Sequence, residues 1–210
     1  MGAPSSRTVL SMSAGANAGT LTAESDHFRL ALYYQKIGDF ENALIQYRAV
    51  LQRDELNAEA HNNLGLLYRD KGLFDEAVKE FQRAVAIDQR YVKAHNNLGV
   101  AYLSQQKNDP AIAEFRTALS LDARNVESFV NLGIAERQAA RRDEARTALA
   151  RALEIDPRSA EANYNLALLA DEAGDRQQAL AHYRAFLQYG AVSHPELVPG
   201  VRARIDALGR

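Results

Sequence analysis

Three evenly spaced histidines, His27, His61 and His95, and two acidic pairs, Asp75 with Glu76 and Asp143 with Glu144, are the first side chains here that could do chemistry. Histidine and carboxylate are the materials of acid–base catalysis and of zinc sites. Their spacing argues against both. The histidines fall 34 residues apart, one per copy of a recurring segment. Equivalent atoms in stacked segments lie roughly 10 Å apart, a helix-packing distance, whereas ligands of one zinc ion sit at about 2 Å. The acidic pairs fall at expected helix starts, where a carboxylate meets the positive end of the helix dipole. Arg137, Arg141 and Arg142 read as a solvated basic face rather than a phosphate site. No glycine-rich phosphate loop is present, and the absence of cysteine removes thiolate nucleophiles and thiolate metal sites. The expectation is a chain without catalytic residues, metal or cofactor.

Amides are the second recurring feature. AHNNLG occurs at 60–65 and again at 94–99, and residues 24–193 realign at a shift of 34 residues without an insertion. Five units follow: 24–57, 58–91, 92–125, 126–159 and 160–193. Place 7 of each holds leucine (Leu30, Leu64, Leu98, Leu132, Leu166) and place 8 a small residue (Ala31, Gly65, Gly99, Gly133, Ala167). Place 20 is alanine throughout, from Ala43 to Ala179, and place 24 is bulky: Tyr47, Phe81, Phe115, Leu149 and Tyr183. A small residue at a fixed place means close approach of another element, and a bulky one opposite fills the gap. Within a unit, Leu64, Leu67 and Tyr68 carry one helical face, KGLFD breaks it, and Ala77, Val78, Phe81, Ala84 and Val85 carry another. Gly38, Gly72 and Gly174 suit the intervening turn, and Asp109–Pro110 suits the start of a second helix in unit three. Each unit is therefore an antiparallel helix pair.

The period, the Leu-Gly pair, the tyrosine three residues later, the recurrent alanine and the aromatic that follows it resemble the tetratricopeptide repeat across residues 24–193. The resemblance implies an all-α fold, an α-α superhelix: a right-handed solenoid of antiparallel helix pairs, whose first helices line a concave groove for extended peptides or partner helices. Glu136 and Ala170 depart from the tyrosine of the first three units, and Phe186 departs from the later alanine, so packing should differ there. After unit five, Pro199 can open a capping helix over about 199–208 with Val201, Ile205 and Leu208 on one face, covering Phe186 and Tyr189.

Family groove places can be read across the units. Place 6 gives Arg29, Asn63, Asn97, Asn131 and Asn165, a column resembling the asparagine ladder in the superhelix of O-linked N-acetylglucosamine transferase. Asparagine offers donor and acceptor on a short stem, so such a column can hold a peptide backbone or only water and neighbouring helices. Place 9 is apolar in every unit: Leu32, Leu66, Val100, Ile134 and Leu168. An aliphatic stripe of that kind marks an interaction surface unless the adjoining unit covers it. Phe28, Val130 and Tyr164 at place 5 would extend the apolar floor, and Lys93 is a candidate peptide contact. Family co-chaperones hold a partner's C-terminal carboxylate with two lysines, two asparagines and an arginine, but no register here completes that clamp. The groove's acidic end should lie in unit five, at Glu161, Asp171 and Glu172.

The chain has 210 residues, 47% of them hydrophobic, and a formal net charge of −2, so nothing in its overall charge favours nucleic acid or an anionic membrane. No apolar run reaches the ~20 residues of a membrane span. Residues 1–23, rich in Ala, Ser, Gly and Thr, read as a flexible linker or tag-like segment. Expected partners are therefore a protein or peptide segment in the groove, with no nucleic acid and no membrane insertion. Self-association through residues 1–23 is one alternative, and a recognition domain of a larger, membrane-anchored or enzyme-linked protein is another. The cytoplasm is the simpler compartment, though lack of cysteine leaves an oxidising one open. The Ala- and Arg-rich ending is similar to that of many bacterial repeat proteins.

Overall fold

Helices account for all the regular structure among the described residues of the computed structural model, 18–210, where no strand occurs. The chain divides into two compact units, one ending at Leu56 and one spanning Asn57–Arg210. The first holds α1 (Ala18–Lys36) and α2 (Phe40–Arg53) as a packed pair. Residues 1–17 of the expected linker lie outside the described residues, and the end of that stretch, from Ala18, is α1 backbone.

The second unit is a solenoid of four helix pairs and a final helix: α3 (Ala58–Asp70), α4 (Phe74–Ile87), α5 (Val92–Ser104), α6 (Asn108–Leu121), α7 (Val126–Gln138), α8 (Arg142–Ile155), α9 (Ala160–Glu172), α10 (Arg176–Gly190) and α11 (Val198–Gly209). Each pair packs within itself, and its second helix packs on the first helix of the next pair. First helices also touch one another, α3 with α5, α5 with α7 and α7 with α9, and the second helices make no matching row of contacts. The row of first helices is thus the tighter one, which puts it on the inside of the curve.

Local chemistry accounts for the boundaries. Asn57, Asn125 and Ser159 cap first helices by accepting the backbone N–H three residues on, and Asp39 and Asp175 do the same for second helices. The turn between the helices of each pair carries one left-handed residue. It is glycine at Gly38, Gly72 and Gly174 (φ +75° to +77°), but Gln106 (φ 59°) and Ala140 (φ 61°) adopt the same conformation. Second helices end on an aspartate, Asp54, Asp88, Asp122 or Asp156, whose carboxylate accepts the N–H two residues on at 2.9–3.1 Å.

Small and large residues interlock. A β-carbon added at Gly65 would lie 2.6 Å from the Phe81 ring, at Gly99 2.5 Å from Phe115 and at Gly133 2.5 Å from Leu149, so these glycines are the space those side chains occupy. Phe81, Phe115 and Leu149 are fully buried, each worth about 1.5–3 kcal/mol of transfer free energy. At the departures from the repeat pattern, Glu136 is 1% exposed and pairs with Arg116 (2.7 Å) and Arg141 (3.4 Å). Phe186 is buried in a cluster with Tyr183 and Val201, against which Leu197, Ile205 and Leu208 pack. Tyr189, expected beneath the last helix, is instead exposed.

Candidate functional site: the face of the first helices

The asparagines of α3, α5 and α7 form an interlocked set rather than a free column. Asn97 donates to Asn62 Oδ1 (2.9 Å), and Asn62 donates to Asn63 Oδ1 (3.2 Å). Asn131 donates to Asn96 Oδ1 (3.2 Å), which also accepts from Ser128 (3.2 Å), while the Asn96 amide donates to Glu127 (2.8 Å). Asn62 and Asn96 are 3% and 4% exposed. Place 5, read from the sequence as groove-facing, is therefore the seam between first helices, where Val130 is buried as well. Asn63, Asn97 and Asn131 stay half-buried at the groove surface. Asn165 departs from them: it is buried and donates to the Glu161 carbonyl of its own helix (2.9 Å).

The place-9 side chains Leu66, Val100, Ile134 and Leu168 are half-buried, each packed against a core cluster on one side. Two pockets open between first helices. One, about 260 Å³, lies between α3 and α5; Leu66, Lys93, Asn63 and Asn97 line it beside buried Asn62 and Asn96. The other, about 550 Å³, lies between α7 and α9 and has Val130, Ile134, Tyr164, Asn131 and Asn165 in its walls. The turn after α10 adds His194 and Leu197, and the Tyr164 ring stands 5.2 Å from that of Phe186. In the first unit, Leu32 and Arg29 are exposed on α1, and Arg29 pairs with Asp26 at 3.5 Å.

Several charges on this face are answered internally. The acidic end read in unit five is bound up: Arg204 of α11 grips Asp171 with two hydrogen bonds (2.5 and 2.6 Å), and Arg137 pairs with Glu172 (2.9 Å). Arg204, with help from the Tyr183 hydroxyl, holds the Asp171 carboxyl below its ordinary range against a smaller opposing effect of burial. Burial and Asp171 in turn push the Tyr183 phenol up to about 12, so it remains a donor. Burial raises the Glu161 carboxyl, but its own backbone N–H and His194 (2.9 Å) outweigh that and leave it lowered. Within the basic cluster, Arg141 pairs with Asp109 (2.6 Å) and Glu136, as Arg137 does with Glu172.

The recurring histidines have partners that the sequence reading did not single out. His27 meets Gln46 (2.6 Å), His61 meets Glu80 (2.6 Å) and His95 meets Glu114 (2.7 Å), always nineteen residues on. In the last pair the roles exchange, His182 with Asn163 at 3.0 Å. The signal was available, since a polar residue recurs at place 23 wherever place 4 is polar and becomes Ala148 where place 4 is Phe129. These pairs tie the two helices of a unit together. Among the described residues no cluster of His, Asp or Glu is arranged to hold a metal ion, and no helix is long and apolar enough to cross a membrane.

Family models described as TPR repeat or tetratricopeptide repeat match residues 27–55 and 92–125, 65–106, and 130–194. The chain belongs to the tetratricopeptide repeat family, whose members are generally non-catalytic scaffolds. No curated protein matches the sequence. Among solved structures, PilF of Pseudomonas aeruginosa superposes with a TM-score of 0.75 at 23% identity, over 91% of this chain and 90% of that one. A MamA structure gives 0.70 at 23% identity over 82% and 94%. YrrB, described as a TPR protein with an unusual peptide-binding site, gives 0.68 at 21% over 90% and 98%. At these identities the likeness is one of fold.

Proposed function

We propose that the chain is a non-catalytic protein–protein interaction scaffold that takes an extended or helical segment of a partner along the face of its first helices. The observation that carries this reading is the row of half-buried aliphatic side chains, Leu66, Val100, Ile134 and Leu168, with pockets opening beside Leu66 and Ile134. Apolar side chains left part-open in a row of recesses are the usual footing for a partner's spaced apolar residues. Asn63, Asn97 and Asn131 lie alongside as polar contacts for that partner's backbone, with Lys93, Tyr164 and Asn165 at the pocket walls. The peptide-binding description of YrrB, a fold relative, is in keeping with this use of the face.

The test is affinity capture with wild-type chain beside Leu66→Asp and Ile134→Asp. Both positions are half-buried, so the melting temperature is measured alongside. Captured partners should be lost from the folded variants; unchanged capture by both would sink the groove reading.

A further inference from the structure

We propose that the pocket between α7 and α9 takes an apolar anchor residue from a partner segment that carries lysine or arginine beside that anchor, a statement that rests on the groove reading above and adds the partner's charge. Its walls are apolar where Val130, Ile134, Tyr164 and Leu197 meet, and at about 550 Å³ it is an ample recess, within the range of roughly 300–1,000 Å³ common for ligand pockets. Around those walls stand three carboxylates, Glu127, Asp156 and Glu161, and among the described residues no lysine or arginine lines the pocket. Each carboxylate is already oriented by hydrogen bonds: Glu127 by the Asn96 amide, Asp156 by the Arg158 N–H, and Glu161 by His194, its own backbone N–H and Ser159. None of those donors is a lysine or arginine side chain, so the negative charge at the rim is oriented but left without a permanent countercharge. Carboxylates bordering a low-dielectric recess focus their field into it. An incoming ammonium or guanidinium would supply the missing charge, whereas an acidic tail or nucleic-acid phosphate would be repelled.

The pocket between α3 and α5 provides the contrast. Glu59 and Glu127 border it, but Lys93 stands among them and amides make up much of the remaining wall. Glu127 borders both pockets, but Asp156 and Glu161 line only the α7–α9 pocket, which has no such cation among its lining residues and is also the one walled by the turn leading into α11.

The experiment is selection of randomised twelve-residue peptides displayed on phage against the full chain, repeated on Ile134→Asp and on Leu197→Glu, with circular dichroism melts confirming that the variants fold. Wild type should enrich Leu, Ile, Phe or Tyr within two residues of Lys or Arg, and the variants should not. A labelled synthetic peptide of the enriched type should bind Glu127→Gln/Glu161→Gln about tenfold more weakly, and wild type more weakly as salt rises. Enriched anchors without basic neighbours, or an affinity indifferent to the Glu→Gln pair, would overturn the charge assignment and leave the groove reading standing. Peptides that bind both folded variants as well as wild type would overturn the groove reading itself, and a selection with no enrichment would overturn both.

Discussion

Ala140 holds a left-handed backbone without being glycine, and so does Gln106. The turn between paired helices requires that conformation whichever residue occupies it. Two units meet the requirement at a steric cost of roughly 1–2 kcal/mol each. Glycine marked the turn in the sequence at Gly38, Gly72 and Gly174, and the 34-residue period puts Gln106 and Ala140 at the same place, but only the structure shows that these two also adopt the left-handed backbone. Ala140→Gly should therefore stabilise the chain by about 1 kcal/mol, raising the melting temperature by about 2–4 °C. A melt showing no rise, or a fall, would mean that helix propensity and side-chain contacts at this position outweigh the relief.

At the scale of the element, α11 shows how a helix is held by one charged contact as well as by apolar packing. Val201 is buried against Phe186 and Tyr183, and Arg204 grips Asp171 of α9. The Asp171 carboxyl is held below its ordinary range, chiefly by Arg204. A carboxyl whose folded value is depressed contributes stability that is fully present above its unfolded value, about 3.9, and is lost as pH falls through the lower folded value. Arg204→Met should accordingly be less stable than wild type at neutral pH, with the difference shrinking below about pH 4. Urea unfolding across pH 3–7 reads this directly; a difference that stays constant over that range would remove Asp171 as the cause. A capping helix after Pro199 could be read from the sequence because its apolar spacing is local. Its ionic partner could not, since Asp171 reads only as a groove acid, and Arg204, 33 residues on, carries no pattern that ties it to Asp171.

On the scale of the Asn57–Arg210 solenoid, each helix pair meets only its neighbours, so stability is a sum of units and seams. Asn96 sits in one such seam, with hydrogen bonds to Glu127, Ser128 and Asn131 of α7. Replacing it with alanine leaves buried polar groups unsatisfied, and Asn96→Ala should cost about 1–3 kcal/mol. Because the loss falls on the α5–α7 seam, amide exchange should speed up on both sides of it, and the urea transition should broaden as the two halves uncouple. A loss below about 0.5 kcal/mol with an unchanged transition slope would show that the seam is carried by apolar packing alone. By itself the sequence determined the period, the helix pairs and the small-against-large packing of Gly65, Gly99 and Gly133, because these follow from spacing along one chain. Only the tertiary structure decided which amides are spent on neighbouring helices, which acids at the groove's end are answered by Arg137 and Arg204, and where a pocket is left open. Those outcomes depend on donor and acceptor atoms from different helices meeting within tenths of an ångström, a precision that a repeat period does not contain.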